Sequence, residues 1–322
     1  MNFWETLPRT LPAGRQAFLC LAPMEDVTDT VFRQMVAGAG KPEVFFTEFV
    51  NVEGMDSPGR DEVTRRLRYS EAERPIVAQI WGLEPSKFYE AAKVIKTLRF
   101  DGIDINFGCP VKDVIKKGAC AAMIDSRYRT QVREIIAAVK QGVKSLPVSV
   151  KTRIGVKKVV TEDWIGFLLG LDLAAITVHG RTAAEKSEVP AHWEEIGKAV
   201  SLRNQFKSKT IIVGNGDVES RAEAEEKARR YGVDGVMIGR GIFKNPWVFD
   251  SLSNQSKSKK EKLEMLVEHA RLWDQTWGET RNFAAMKKFV KIYVQGFAGA
   301  ADLRAKLMRA GGAKELIKWP AV

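Results

Sequence analysis

Eight short apolar runs recur along this chain at nearly even spacing, and that rhythm limits the fold more than any other feature. They cover residues 18–22, 43–46, 76–80, 102–106, 148–152, 175–178, 211–214 and 235–238. Each is close to continuously hydrophobic rather than alternating, as expected of parallel strands covered by helices on both faces. Helix-like stretches, such as 86–98, 129–142 and 220–231, lie between them. Eight βα units of roughly 30 residues each predict a (β/α)8 barrel. A doubly wound open sheet is the rival. It would ordinarily be shorter, and no G-x-G-x-x-G follows the first strand.

The composition changes near residue 251, where Ser, Asn, Gln and Lys gather and read as a linker. Beyond it, Leu263, Leu266, Val267 and Ala270 fall at helical spacing, and Met286, Phe289, Val290, Tyr293, Val294 and Phe297 repeat the pattern. The expected architecture is a barrel over 1–250, a linker over 251–260 and a small all-helical domain over 261–322. Charge divides along the same line. The chain carries a net charge of +11 from 51 Lys and Arg against 40 Asp and Glu. Residues 255–322 hold 14 basic against 7 acidic residues, which leaves 37 against 33 for the rest. A basic appendage on a nearly neutral body points to a polyanionic partner; a merely solubilising surface is the plainer reading.

In a barrel the working residues sit where strands end at the C-terminal face. Here the strand ends are Ala22-Pro23-Met24, Thr47-Glu48, Gln79, Asn106 with Cys109, Lys151-Thr152-Arg153, His179-Gly180-Arg181, Gly214-Asn215-Gly216-Asp217 and Gly239-Arg240-Gly241. Glycines in the last two turns let backbone N–H groups approach an anion, and Arg240 adds charge, so a phosphorylated ligand is expected there. The same glycines would also serve a tight turn. Lys151, His179 and Gln79 come from three strands. A cation and two hydrogen-bonding groups around an apolar cavity suit a flavin, whose reduced ring gathers negative charge. Taken singly, Lys151 reads equally as a solvated side chain and His179 as a structural histidine. Cys109, on a Gly-Cys-Pro turn, is placed to meet a ligand, although free cysteines are often inert core residues. Cys20 lies inside the first strand, and Cys120 reads as a small packing residue at a helix start.

Several classes are excluded or disfavoured. No apolar stretch approaches the roughly 18 residues that span a bilayer. Residues 1–12 lack the layout of a secretory signal. Three irregularly spaced cysteines give no disulfide framework or zinc pattern, and His179, His192 and His269 form no H-E-x-x-H pair. A metal-free protein of the reducing cytoplasm is expected.

Read together, these stretches resemble the tRNA-dihydrouridine synthases. The motifs that carry the resemblance are Ala22-Pro23-Met24 with Thr28-Asp29 and Phe32-Arg33; Asp104-Ile105-Asn106-Phe107-Gly108-Cys109-Pro110 with Lys116-Lys117-Gly118-Ala119; and Lys151-Thr152-Arg153-Ile154-Gly155. Val178-His179-Gly180-Arg181-Thr182, Gly214-Asn215-Gly216-Asp217-Val218 and the run 235–241 continue it, and Tyr293, Gly296-Phe297, Leu303-Arg304 and Leu307-Met308 extend it into the tail. The resemblance implies an FMN-binding barrel followed by a helical RNA-binding domain. It implies reduction of the 5,6 double bond of particular uridines in tRNA, with NADPH as reductant. By position, it makes Cys109 the general acid toward uracil C5. It sets Gln79, Lys151 and His179 against the flavin ring or ribityl chain, and Asn215, Gly239 and Arg240 against its phosphate. Pro23, Met24, Gly216 and Asp217 join the cofactor site. Asn106, Arg153 and Arg181 fall to the substrate. A monomer is expected. The rival readings are an FMN barrel acting on a free pyrimidine and a tRNA-binding folding helper without turnover.

The chain also departs from the family pattern. Glu185, Ser187 and Val189 stand where Gln, Tyr and Gly are usual, and Ala191-His192-Trp193 where Ala-Asp-Trp is. Glu25-Asp26 replaces small residues, Phe289 a frequent histidine, and Cys120 a common glycine.

Overall fold

The computed structural model describes residues 2–251 and 257–318. Eight parallel strands form the barrel: β1 (Phe18–Leu21), β2 (Phe45–Phe46), β3 (Ile76–Trp81), β4 (Gly102–Phe107), β5 (Val148–Arg153), β6 (Ala175–His179), β7 (Ile211–Asn215) and β8 (Gly235–Ile238). Each pairs with its sequence neighbour from β3 to β8, β2 pairs β3, and β1 pairs β8. Between β1 and β2 the closure is thin, with the Leu21 N–H donating to Val44 O at 3.1 Å and the Glu43 N–H to Leu19 O at 2.9 Å. The second strand is therefore shorter than expected, and a two-residue strand, Val50–Asn51, continues the pairing along β3 instead.

The period of two sorts the side chains. Leu19, Phe45, Ala78, Ile103, Ile105, Val150, Ile176 and Val236 belong to the core between strands and helices. Phe18, Cys20, Val44, Phe46, Val77, Ala175, Ile211, Val213 and Met237 form a separate cluster inside the barrel, with Trp4 and Leu7. Trp4 is fully buried against Phe18 and Phe46, so the segment before β1 plugs the barrel's interior. The residues that follow this apolar fill along the same interior face are polar. Asp104 lies opposite Gln79 and Ser149, Asn106 opposite Lys151, and Arg153 opposite His179.

The wall is built from α1 (Thr30–Ala39), α2 (Arg60–Thr64), α3 (Pro85–Thr97), α4 (Arg129–Val143), α5 (Thr161–Leu169), α6 (Trp193–Gln205), α7 (Arg221–Tyr231) and the single turn α8 (Gly241–Lys244). Local chemistry sets several of their ends. Asp29 caps α1 by accepting from the Phe32 N–H, Pro85 opens α3, and Ser220 caps α7, which stops at Gly232 in the left-handed region.

Four further helices follow: α9 (Lys259–Thr276), α10 (Ala284–Tyr293), α11 (Ala300–Leu307) and α12 (Ala313–Lys318). Residues 252–256 of the expected 251–260 linker lie outside the described residues, and Ser258 with Glu261 forms a capping box that starts α9. These helices do not hang free. α9 packs on α1, and Phe32 of α1 stacks on Phe289 of α10 at 5.1 Å. The Trp277 Nε1–H donates to Asp29 at 3.1 Å, and Arg281 pairs with Asp29 at 2.6 Å while lying over the rings of Trp273 and Trp277. The basic run at 65–68 joins the same contact. Arg65 and Arg68 lie over Trp277, Arg68 also donates to Thr276 O, and Arg66 pairs with Glu25. No helix among the described residues is long and apolar enough to cross a membrane.

Candidate active site

A cavity of about 480 Å³ opens at the C-terminal ends of β5 to β8, beside the turn that follows β1. Pro23, Met24, Lys151, Arg153, His179, Arg181, Asn215, Gly216, Asp217, Gly239 and Arg240 all line it. Sequence reasoning missed Ser187, Glu219, Met237 and Lys244, which join the lining. A larger groove of about 1560 Å³ runs outside the barrel between α1 and α9 and touches none of the strand ends.

The cavity's phosphate end is made by two packed turns. Gly241 leaves no room for a β-carbon, which would meet Val218 O at 2.3 Å. Gly216 has φ +133°, and the Trp193 Nε1–H holds its carbonyl at 2.9 Å. Among the described residues, the backbone N–H groups of Gly216, Asp217, Gly239 and Arg240 have no acceptor within the protein. Such a cluster of free donors beside an arginine suits an anion. Asp217 is itself acidic and accepts from Arg181 and from the Ala191 N–H; Arg240 stands 3.8 Å away and largely exposed. Asp217 therefore orients the cations rather than meeting a phosphate.

Nearer the barrel axis, Lys151 Nζ donates to Asn215 Oδ1 at 3.1 Å, and Asn215 Nδ2 donates to Met237 O. Burial, with Arg153 nearby, pulls the Lys151 ammonium down to about 8, so it stays mostly charged at neutral pH. Burial and then the surrounding cations hold His179 well below its ordinary range, which keeps it neutral. Arg181 Nη1 lies 3.3 Å from His179 Nε2. An arginine only donates, so Nε2 accepts and the ring's proton sits on Nδ1. A cation, a neutral N–H donor and a free-donor cradle fit the ring and phosphate of a flavin mononucleotide.

Two expected substrate arginines are committed elsewhere. Arg153 donates to Gly108 O at 2.8 Å and to Thr182 O and Lys186 O at 3.0 Å, tying the turns after β4 and β6 together. Arg181 donates to Val189 O and to Asp217. Both line the cavity as buried struts. Gln79, Asn106 and Cys109 lie outside the lining. Gln79 is wholly buried, donates to Asp104 at 2.7 Å and accepts from Asn106 at 3.1 Å. Asp104 also accepts from Ser149, and burial raises its carboxyl to about 6. Asn106 Oδ1 accepts from the N–H groups of both Gly108 and Cys109, at 2.9 and 3.0 Å. This hydrogen-bonded chain fixes the turn that presents Cys109.

Cys109 itself is half-buried, the other two cysteines fully so. A hydrogen bond from Cys120 chiefly, then the Val111 N–H and the Arg153 charge, pull its thiol down to about 7 against the opposing effect of burial. Glu48 lies two residues beyond the end of β2. The carboxyl is buried, with Oε1 lacking a hydrogen-bond partner, and burial followed by Asp29 and Glu25 raises it to about 7. Its position at a strand end was the available signal.

A family model described as dihydrouridine synthase matches residues 20–318. This chain belongs to the dihydrouridine synthase family. A probable tRNA-dihydrouridine synthase of Staphylococcus aureus (strain COL) is 45% identical over 95% of this chain and 91% of its own length. Probable tRNA-dihydrouridine synthase 2 of Bacillus subtilis (strain 168) is 44% identical over 98% and 94%. The old yellow enzyme from Trypanosoma cruzi shares the barrel fold, with a TM-score of 0.53 at 14% identity over 76% of this chain and 90% of that one. Family membership makes the chain an oxidoreductase.

Its departures from the dihydrouridine synthase pattern now have places. Glu185 accepts from the Thr182 N–H at 2.7 Å and lies 3.1 Å from His192 Nε2, so the two unusual residues partner each other. Ser187 faces the cavity, and the carbonyl of Val189 holds Arg181. Phe289 packs 4.6 Å from the buried His269, whose Nδ1 meets the Tyr293 hydroxyl at 2.8 Å; burial lowers that imidazole to about 3. A histidine thus occupies the core of the helical bundle from α9 rather than α10.

Proposed function

We propose that this protein uses bound FMN to reduce the 5,6 double bond of specific uridines in tRNA to dihydrouridine. The observation that carries the reading is an anion cradle and a buried Lys–His pair in one cavity, with Arg153 of its lining bonded to Gly108 O in the turn that holds Cys109. The family and the names of its 44–45% identical relatives support it. When bound and reduced by NADPH, the flavin supplies hydride for uracil C6.

The chain's own residues bind, orient and hold protons. The N–H groups of Gly216, Asp217, Gly239 and Arg240, with the Arg240 side chain, take the phosphate. Lys151 and the Nδ1–H of His179 face the ring, where they favour added negative charge. Asn215 holds Lys151, and Pro23 and Met24 close the apolar side. Cys109 keeps its proton at Sγ for uracil C5. A thiol poised near neutral pH makes a better acid there than one at the ordinary value near 9. Asn106 and Gln79 act beneath it by fixing the turn. The base must leave its stack to reach the mouth. Residues 261–322, joined through 251–260 to the barrel of 1–250, grip the folded RNA; Lys288, Lys291, Lys306, Arg309 and Lys314 are exposed there for phosphates. The setting is the cytoplasm, and the working unit is a monomer.

Purified protein should show flavin absorption and oxidise NADPH, and tRNA from cells that lack it should lose dihydrouridine at defined positions. Cys109→Ala should keep the flavin spectrum and NADPH oxidation while product formation falls about 10²- to 10⁴-fold. Full product formation in that variant removes the acid role. Turnover of free uridine with none on tRNA replaces the substrate.

A further inference from the structure

Three of the six large hydrophobic side chains that stand exposed among the described residues lie on two neighbouring loops of the barrel mouth. Val111 is 53% exposed in the turn that follows β4, just beyond Cys109 and Pro110. Val159 and Val160 are 45% and 37% exposed in the loop that joins β5 to α5. Lysines stand among them. The turn after β4 carries Lys112, Lys116 and Lys117 against the single acid Asp113, and residues 154–160 carry Lys157 and Lys158 with no acid. All five lysines are exposed. Among the described residues, Lys112, Lys117, Lys157 and Lys158 have no hydrogen bond or ion pair. Lys116 has only Asp113 at 3.8 Å, and an exposed pair of that kind holds little.

The fold presents these side chains on fixed loops. Loop 154–160 closes on itself: the Val160 N–H donates to Ile154 O at 2.8 Å, and Lys158 O lies where a β-carbon on Gly155 would be. The Ala183 N–H to Gly155 O at 2.9 Å and the Ala184 N–H to Val156 O at 2.8 Å stitch it to the loop after β6. The turn after β4 doubles back at Gly118, φ +85°, where the Ala119 N–H reaches Val114 O at 3.1 Å. Arg153 of β5 holds the start of that turn by Gly108 O. Loops already ordered give up little entropy when a ligand arrives. The ledge they form borders the mouth at β4 and β5. In the closed ring β5 stands across from β1, and the C-terminal helices pack on α1, which follows β1. Two basic surfaces therefore flank the mouth from opposite sides.

Free cations with apolar carbons between them suit a sugar–phosphate chain. Ammonium groups meet phosphate oxygens, and valine methyls meet the carbon face of a ribose. We propose that Lys112, Lys116, Lys117, Lys157 and Lys158 form a second tRNA-binding surface on the barrel itself, which holds phosphates beside the everted uridine from the side of the mouth opposite the helical region. This rests on the reading of tRNA as substrate. A base turned out of its stack pulls its own backbone toward the mouth, and cations on both sides keep the flanking phosphates there.

The test measures the Kd of holoenzyme for unmodified tRNA across a salt series. The variants are Lys157→Gln with Lys158→Gln, and Lys112→Gln with Lys116→Gln and Lys117→Gln. A control changes Lys207 and Lys209 to Gln, both exposed on the loop before β7 at the other end of the barrel. Flavin absorbance checks folding. The slope of log K against log salt should fall by about one for each ledge lysine removed. Near physiological salt the Kd should rise about fivefold per lysine. The control should match wild type. Val159→Ser should raise the Kd at an unchanged slope, because it removes apolar area and no charge. An unmoved slope in both ledge variants, or an equal fall in the control, overturns the proposal. Dihydrouridine formation by wild type on the same tRNA judges the functional reading separately. If wild type forms none while the ledge variants lose affinity and slope, the activity reading fails and the RNA-binding surface stands. If wild type forms it and the ledge variants bind as wild type does, only the ledge fails.

Discussion

The two halves of the barrel mouth spend their charges differently. After β5 to β8 the cations outnumber the acids, and Lys151, His179 and Arg240 face a cavity with backbone donors left over. After β1 and β2 the balance reverses. Glu25, Asp26, Asp29 and Glu48 gather there, and Arg66, Arg281 and the Trp273–Trp277 pair clamp them to the C-terminal helices. One half leaves donors facing an open cavity, and the other commits its charges to contacts within the protein. The lesson is that a charge at a rim indicates a ligand only when the fold has not already consumed it.

The strongest way to break this contrast is at Arg281, a buried cation on the clamped side. Arg281→Ala leaves Asp29, 4% exposed, with a buried charge and only the Trp277 indole and its own helix cap as donors. Stability should fall by about 3–5 kcal/mol in urea denaturation. FMN affinity of the folded fraction should not change; a loss of flavin without a loss of stability would merge the two halves.

Glu48 sharpens the same point through pH. Its folded value of about 7 lies above the ordinary 4.5, so the native state binds the extra proton between those limits. Stability through this group is therefore undiminished below pH 4.5 and falls as pH rises to 7. From pH 5 to pH 8 the loss should be about 2–3 kcal/mol, and Glu48→Gln should remove that part of the slope. Parallel wild-type and variant curves would show that the carboxylate is solvated.

On the cavity side the expected effect is smaller and of another kind. Arg240 is largely exposed, so Arg240→Ala should hardly move the unfolding midpoint. Losing one charge-assisted contact of about 1.5–3 kcal/mol should weaken FMN binding roughly ten- to a hundredfold by titration of the apoprotein. An equal drop in stability would mean that Arg240, like Arg281, belongs to the scaffold.

Seven of the eight strands start and end within about one residue of where their apolar runs do, because strands covered on both faces must be apolar throughout. Only β2 falls short: its run begins at Glu43, yet the ladder takes in Phe45–Phe46 and a bridge at Val44. Much of the cavity's lining was readable too, since the ends of parallel strands share one face, but Ser187, Glu219, Met237 and Lys244 were not, and Gln79, Asn106 and Cys109 lie outside it. Arg153, Arg181, Gln79 and Asn106 were readable as positions but not as roles. Each bonds backbone or side chains from other strands, and spacing does not reveal such partners. The same holds for the basic run at 65–68, which looks like a patch for RNA and meets Trp277 and Thr276 about 210 positions away. Truncating the helical region to test its part in RNA binding would also strip Phe289 from Phe32 and Arg281 from Asp29, a cost the charge count alone gives no hint of.

What the amino-acid order settled unaided was the alternation of strand and helix, the inward and outward faces of each strand, and so the set of side chains that reach the mouth. These follow from periodicity and backbone sterics, which act over a few residues. Only the assembled barrel decided which of those side chains remain free, that Arg153 would tie the turn of Cys109 to the one after β6, and that Glu48 would be buried short of a partner. Hydrogen bonds and desolvation depend on neighbours in space, and here those neighbours come from segments that the sequence keeps far apart.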